Sequence, residues 1–206
     1  ELNVLAKFNP VVPEAAKDAD FLMLGNLTPA IQIGVIKQMA KRPKLIVLDT
    51  MNFWMDSAWD DLMEVLTMID VLTINDEEAR QLSGKHSLVA AAKKILTMGP
   101  KYLVVKKGEH GALLFSKDEM FSAPAMPLES VFDPTGAGDT FAGGFIGYLA
   151  KQNDVTFEHL RTALIHGSAL ASFTVEKFGT QRLQDVTDAE LKNRLMDFHN
   201  LVRFSL

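Results

Sequence analysis

Short, predominantly apolar segments alternate with helical patterns along the first half of the chain. Four such segments, rich in Leu, Ile and Val, occupy residues 21–24, 45–48, 71–74 and 102–105. Strands that lack polar alternation are typical of a parallel sheet buried on both faces, and the helices between them provide the cover. The sequence therefore predicts a three-layer αβα domain with a mostly parallel central sheet.

The second half of the chain follows a different pattern. It predicts one hairpin, at residues 112–115 and 119–122, and then three helices, at residues 139–151, 157–175 and 188–204. Thr187 and Glu190 have the spacing of a capping box at the start of the last helix. No stretch rich in Pro, Gly or Ser divides the chain, so residues 1–206 are predicted to form one domain.

The first residues suggest that the sequence continues upstream. The chain starts at Glu1 rather than at a methionine, and residues 2–8 already have the composition of a strand. We therefore expect this chain to be the later part of a longer protein.

Composition narrows the chemistry that the chain can perform. It has 206 residues and a formal net charge of −5. Because it has no cysteine, disulfides, thiolate catalysis and cysteine-based zinc sites are excluded. No basic patch dominates the sequence, no signal peptide is visible in it, and no apolar run approaches the roughly 18 residues that a membrane span needs. Its five histidines lack the spacing of metal ligands. We expect a cytoplasmic protein that binds neither nucleic acid nor membrane.

The segment from Asp133 to Phe141 combines two glycines with the start of an amphipathic helix. The first turn of a helix has unpaired N–H groups and partial positive charge, and glycines let the backbone fold around an anion there. Asp139 follows directly, where a carboxylate could take a proton from an attacking hydroxyl. This pairing suits phosphoryl transfer, but a glycine turn that only starts a helix, with Asp139 favourable to its dipole, explains the residues equally well.

Polar residues directly follow three of the predicted strands: Asp49, Asn75 and Lys106. In parallel α/β sheets ligands bind at the carboxyl ends of the strands, so these side chains are candidates for one crevice. Lys106 suits a phosphate contact and Gly108 permits close approach of the backbone, but a solvated turn explains both. Asn75 and Glu78 also have a purely structural alternative to ligand binding, as the N-cap and N3 residues of a capping box.

Other nucleotide-binding signatures fail on spacing. A dinucleotide fingerprint needs a glycine where Phe141 stands, and neither a P-loop nor a protein-kinase H-R-D motif is present. Instead, residues 133–141 closely resemble the second signature of the ribokinase/PfkB family of carbohydrate and nucleoside kinases. Three further stretches resemble this family in the right order: residues 75–78 its N-x-x-E motif, residues 106–111 the loop beside the nucleotide phosphates, and residues 171–176 the region that packs the base and holds a monovalent cation.

The resemblance implies a ribokinase-like fold and an ATP-dependent kinase. It implies that the backbone of Gly136, Ala137 and Gly138 forms an anion hole and that Asp139 is the catalytic base. The γ-phosphoryl group of ATP would pass to a hydroxyl of a small sugar, with a nucleoside as the alternative acceptor.

The resemblance also implies sites for cofactors. Mg²⁺ would be held near Glu78 through water, and K⁺, as a further option, by the backbone carbonyls of Asp133 and Thr135. The residues that it assigns to nucleotide binding are Asn75, Glu78, Lys106, Gly108, Gly111, Thr135 and Ser172.

The resemblance covers the later two-thirds of such a kinase. In the family, two features precede that part: the first signature, which is a glycine-rich sugar-binding segment, and a small β-sheet lid. The resemblance also makes a homodimer a candidate assembly. Two other functions stay open: a nucleotide-binding remnant without catalysis, and a nicotinamide-dependent oxidoreductase, which the missing fingerprint disfavours.

Overall fold

The computed structural model describes residue 5 and residues 8–205 of the chain. They fall into two compact units, Glu1–Leu103 and Val104–Leu206. The strand expected at residues 2–8 lies largely outside the described part, and the single domain expected for residues 1–206 stays a prediction. No helix among the described residues is long and apolar enough to span a membrane.

The first unit consists of parallel strands joined by helices. Its strands are β1 (Phe21–Leu24), β2 (Leu45–Asp49), β3 (Val71–Asn75) and the start of β4 (Tyr102–Lys106), in the order β1-β2-β3-β4. Its helices are α1 (Pro29–Gln38), α2 (Asn52–Ser57), α3 (Trp59–Leu66), α4 (Asp76–Ser83) and α5 (Leu88–Leu96). β1, β2 and β3 pair in parallel, and every residue of β2 is buried, as expected for a strand covered on both faces. The predicted strands and their polar ends at Asp49, Asn75 and Lys106 are confirmed.

The second unit begins within β4 and continues with an antiparallel hairpin. Its further strands are β5 (Ala112–Phe115) and β6 (Met120–Ala123), in the order β4-β5-β6. Its helices are α6 (Ala137–Gln152), α7 (Phe157–Thr174), α8 (Gln181–Asp185) and α9 (Asp188–Val202). The hairpin and the three long helices are confirmed close to their predicted positions, whereas the sequence does not predict the five-residue α8.

The capping box predicted for α9 is present. The hydroxyl of Thr187 accepts the N–H of Glu190 at 3.2 Å, and the Glu190 carboxylate accepts the N–H of Thr187 at 2.9 Å. The same carboxylate accepts Nη2 of Arg182 at 2.6 Å, which joins α8 to α9. These hydrogen bonds, the one from the Thr187 backbone first, lower the pKa of Glu190 to about 2.

Acidification should therefore weaken the contacts around Glu190. Its pKa is lower in the folded chain, about 2, than the ordinary value of 4.5. Its contribution to the free energy of unfolding is therefore complete when the pH is above the ordinary pKa. The contribution is lost as the pH falls towards the pKa of the folded chain. We expect Glu190→Gln to lower the unfolding temperature at neutral pH, and the difference from wild type to shrink in acid. Thermal unfolding at a series of pH values checks this, and a difference that is independent of pH would contradict it.

Two glycines bring α6 and α7 into close contact. A Cβ atom placed on Gly144 of α6 would lie 3.1 Å from the Cα atom of Gly167 of α7. A Cβ atom placed on Gly167 would lie 2.7 Å from the carbonyl oxygen of Phe141. By contrast, a Cβ atom on Gly143 or Gly147 would meet nothing within 4 Å. Gly144 and Gly167 therefore fix the distance between the two helices.

Alanine substitutions separate these two classes of glycine. Gly144→Ala and Gly167→Ala should push the helices apart and lower the free energy of unfolding by about 1–3 kcal/mol. Gly143→Ala and Gly147→Ala place a methyl group in open space, where alanine stabilises a helix by roughly 0.5–1 kcal/mol relative to glycine. Urea unfolding of the four variants measures the difference, and an equal loss in all four would be inconsistent with a specific close contact.

Candidate active site

The second unit contains a cavity of about 710 Å³. Its wall is formed by the end of β4, the loop after β6, the first turns of α6 and the last turns of α7. Much of this wall is apolar and includes Met126, Leu128, Phe141, Ala171 and Val175. A cavity of this size suits a ligand as large as a nucleotide, and an apolar wall suits its base.

α6 begins at one side of this cavity with a left-handed glycine. Gly136 has φ 80° and ψ 0°, a conformation that glycine adopts without steric cost, and no side chain caps the helix. The N–H of Ala137 donates to the carbonyl of Pro134 at 3.1 Å, and the first bond of the helical ladder runs from Thr140 to Gly136 at 2.9 Å. Gly138 precedes that bond and lines the cavity, so its N–H belongs to the positive end of the helix.

The ammonium group of Lys106 lies beside the same turn. A Cβ atom placed on Gly138 would be 3.3 Å from Lys106 Nζ, and both residues line the cavity. A larger side chain at position 138 would therefore compete with the lysine for space. An anion that binds here would interact favourably with both the ammonium group and the helix N-terminus. The pair is suited to a phosphate group.

Asp139 directly follows Gly138 in the first turn of α6 and is exposed. Within the described part of the chain, no side-chain hydrogen bond or ion pair involves its carboxylate. A carboxylate in the first turn also interacts favourably with the helix dipole. The position of Asp139 is therefore compatible with both roles expected from the sequence, the catalytic base and the favourable charge at the helix N-terminus. The group is accessible to an incoming hydroxyl.

The loop before α6 is tied to the end of α7. The N–H of Phe132 donates to the carbonyl of Val175 at 2.7 Å, and the Asp133 carboxylate accepts the N–H of Thr135 at 2.9 Å. Hydrogen bonds from the Thr135 backbone and, more weakly, from the Gly179 backbone lower the pKa of Asp133. The expected monovalent cation at the carbonyls of Asp133 and Thr135 stays a prediction.

A tight loop joins β4 to β5 next to Lys106. Gly111 has φ 84°, and a Cβ atom there would lie 2.8 Å from the carbonyl carbon of Pro124, so only glycine fits. Its carbonyl accepts the N–H of Lys107 at 2.8 Å. Gly108 has φ 55°, but a Cβ atom there would meet nothing within 4 Å. Gly111 is therefore required by packing and Gly108 by the left-handed turn, while the close approach of the Gly108 backbone to a phosphate stays a prediction.

Asn75 and Glu78 lie at the start of α4 in the first unit and form a complete capping box. The Asn75 side chain accepts the N–H of Glu78 at 2.8 Å, and the Glu78 carboxylate accepts the N–H of Asn75 at 2.7 Å. The capping box, which was the structural alternative to ligand binding for these two residues, is thus present. A role in holding Mg²⁺ or nucleotide stays a prediction for both residues.

Most of the site residues expected in the second unit, from the nucleotide-binding set and the anion hole, line one cavity. They are Lys106, Gly108, Gly111, Ala137, Gly138 and Ser172. Gly136, Asp139, Asp133 and Thr135 lie in or beside the turn that opens α6. The sequence did not predict the apolar wall at residues 125–128, because the composition of that stretch is typical of an ordinary proline-containing loop. Its run of Ala, Met, Pro and Leu was the available signal.

A helix N-terminus and a lysine beside an apolar-walled cavity are typical of α/β proteins that bind anionic ligands. Residues 5–186 match the family model described as pfkB family carbohydrate kinase, and the chain belongs to this family.

Curated relatives agree with this assignment. The chain is 30% identical over 154 residues to a cytidine kinase of Thermococcus kodakarensis, and the match covers 72% of the chain and 55% of that protein. It is 32% identical over 123 residues to a ribokinase of Staphylococcus aureus, with 57% of the chain and 39% of that protein covered. The chain therefore spans about half the length of these relatives or less.

Solved structures show the fold. A nucleoside kinase of Methanocaldococcus jannaschii matches with a TM-score of 0.73 and 23% identity over 94% of this chain and 60% of that one. A ribokinase of Thermotoga maritima matches with a TM-score of 0.69 and 26% identity over 86% of this chain and 57% of that one. The predicted three-layer, ribokinase-like α/β fold is confirmed.

Substitution of Lys106 tests the anion site. Lys106→Met removes the ammonium group beside Gly138 and should weaken ATP binding by roughly ten- to a hundredfold, the usual size of a charge-assisted contact. Lys107→Met is the matched control, because it removes an adjacent positive charge that does not line the cavity. Isothermal titration calorimetry measures both affinities, and equal weakening by the two substitutions would contradict a specific contact.

Proposed function

We propose that the protein transfers the γ-phosphoryl group of ATP to a hydroxyl of a small sugar. The observation that carries this proposal is the position of Lys106 Nζ, 3.3 Å from the place of a Cβ atom on Gly138, at the positive end of α6. Asp139 follows in the same turn. A phosphate-binding group directly beside an accessible carboxylate is what phosphoryl transfer to an alcohol needs.

Asp139 acts as the base in this proposal. The acceptor oxygen attacks the γ-phosphorus and forms the new P–O bond, and its proton passes to the Asp139 carboxylate. The bond between the γ-phosphorus and the β,γ-bridging oxygen breaks, so ADP leaves with the electron pair. The products are ADP and a phosphorylated sugar.

The residues around Gly136 stabilise the charge that develops on the transferred group. Gly138 offers its N–H directly, while the N–H of Ala137 would have to leave the carbonyl of Pro134 in order to contribute. Gly136 allows this geometry through its left-handed backbone. Lys106 adds a full positive charge on the same side.

Mg²⁺ that enters with ATP fits this arrangement. Among the described residues no group of three or more His, Asp or Glu side chains could hold a metal ion. Mg²⁺ in kinases commonly needs only one or two carboxylates, because phosphates and water supply its other ligands. It would neutralise the negative charge of the phosphates.

A nucleoside is the second candidate acceptor. It is favoured by the cytidine kinase of Thermococcus kodakarensis, to which the match covers 72% of this chain. Turnover measured with ribose and fructose against cytidine and adenosine at equal concentration separates the two classes, since a sugar kinase would phosphorylate the free sugars at the higher kcat/KM.

Asp139→Asn tests the base directly. This substitution keeps the shape of the side chain and should lower kcat by roughly 10²–10⁴-fold, while ATP affinity stays within a few-fold of wild type. Asp188→Asn is the control, because Asp188 is an exposed aspartate in the first turn of another helix, α9. Steady-state kinetics and calorimetry provide both readouts. A variant that retains more than about a tenth of wild-type turnover would contradict the assignment.

Measurements on the wild type address the non-catalytic alternative. A protein that binds ATP but phosphorylates none of the four acceptors would instead be a nucleotide-binding protein without catalysis.

A further inference from the structure

The hydroxyl of Ser172 lies in the cavity wall and has most of its hydrogen-bonding capacity already fixed. The residue is 8% exposed. Its Oγ donates to the carbonyl of Ala169 at 2.7 Å and accepts Nη1 of Arg194. A hydroxyl has one proton and two lone pairs, so one lone pair remains and no proton is left for a ligand.

Arg194, which comes from α9, is held firmly in this position. Its Nη2 donates to Oε1 of Glu176 at 2.6 Å, and its guanidinium carbon lies 4.0 Å from the centroid of the Phe173 ring. Its side chain is only 15% exposed. An arginine fixed by an ion pair and by stacking on an aromatic ring keeps its remaining N–H groups in one direction. The bond to Ser172 is therefore a stable feature of the cavity wall.

Arg182 shares the partners of Arg194 but does not donate to Ser172. Its Nε donates to Oε2 of Glu176 at 3.0 Å, and its guanidinium carbon lies 4.9 Å from the Phe173 centroid. Burial acts to raise the pKa of Glu176, but the hydrogen bonds from the two arginines outweigh it and the pKa is lowered. Glu176 therefore stays ionised between them, and Arg182 provides a natural control for Arg194.

We propose that Arg194 is a positioning residue that keeps Ser172 as a hydrogen-bond acceptor and so selects a nucleotide base that donates an amino N–H. This rests on the proposed function, in which the cavity holds ATP. The 6-amino group of adenine can donate to the remaining lone pair of Ser172. A 6-oxo purine, such as the base of ITP, presents an acceptor instead, which leaves two acceptors facing each other without a proton.

Without Arg194 the Ser172 side chain is released from one of its two bonds. It can then change rotamer and turn its O–H towards the ligand, so that an amino and an oxo group are accepted with similar affinity. Loss of Arg182 removes an equivalent charge and the same stacking contact but leaves Ser172 in place. The two substitutions should therefore affect base selectivity differently.

Calorimetric binding of ATP and ITP tests this in the wild type and in the variants Arg194→Met and Arg182→Met. We expect the wild type and Arg182→Met to prefer ATP by roughly tenfold, and Arg194→Met to prefer it by less than about twofold. Both variants should unfold at a lower temperature than the wild type, because Arg194→Met loses the ion pair with Glu176 and Arg182→Met loses the ion pairs with Glu176 and Glu190.

Ser172→Ala provides a second test that does not disturb the ion pairs. It removes the acceptor and should weaken ATP binding while ITP binding changes little, which again brings the ratio close to one. If Arg194→Met or Ser172→Ala keeps the wild-type ratio, the inference is overturned even though ATP binds. A wild-type protein that binds neither nucleotide would contradict the proposed function itself, and the inference with it.

Discussion

The close contact between α6 and α7 is the constraint on which the candidate site depends. Gly144 and Gly167 leave no room for a Cβ atom, so the helix that carries the candidate phosphate-binding turn packs directly on the helix that carries Ala171 and Ser172. A larger spacing would widen the cavity between the first turns of α6 and the last turns of α7. Packing between two helix backbones thus sets the dimensions of a site whose chemistry lies at their ends.

The electrostatics of this site are arranged for an anion that arrives with the ligand. Lys106 and the N-terminus of α6 both place positive charge at the same wall of the cavity, and neither neutralises the other. An anionic ligand that binds there interacts favourably with both and stabilises the folded chain by mass action. Apolar residues also line the cavity, among them Val175, which directly precedes Glu176 and its ion pairs, so the cavity offers charged surface for a phosphate and apolar surface for a base.

Much of the fold follows from local patterns, and less of the site does. The parallel strands, the hairpin and the capping box of α9 were predictable because apolar runs and cap residues act over short stretches of chain. The helices α2 and α8 were not predicted, because five or six residues give too few turns for a periodic pattern. Sequence also could not distinguish Gly144 from Gly143 and Gly147, since only packing against another helix separates them. The contact between Arg194 and Ser172 joins residues 22 positions apart and has no local signal.

The central claim is that the transferred phosphoryl group lies between the first turn of α6 and Lys106. A crystal structure of the protein with ADP, Mg²⁺ and aluminium fluoride, which mimics that group, measures its position directly. The account predicts the fluoride atoms within about 3.2 Å of the Gly138 nitrogen and of Lys106 Nζ, with the Asp139 carboxylate facing the side opposite to ADP. A mimic bound elsewhere, with Gly138 and Lys106 in contact only with water, would contradict it.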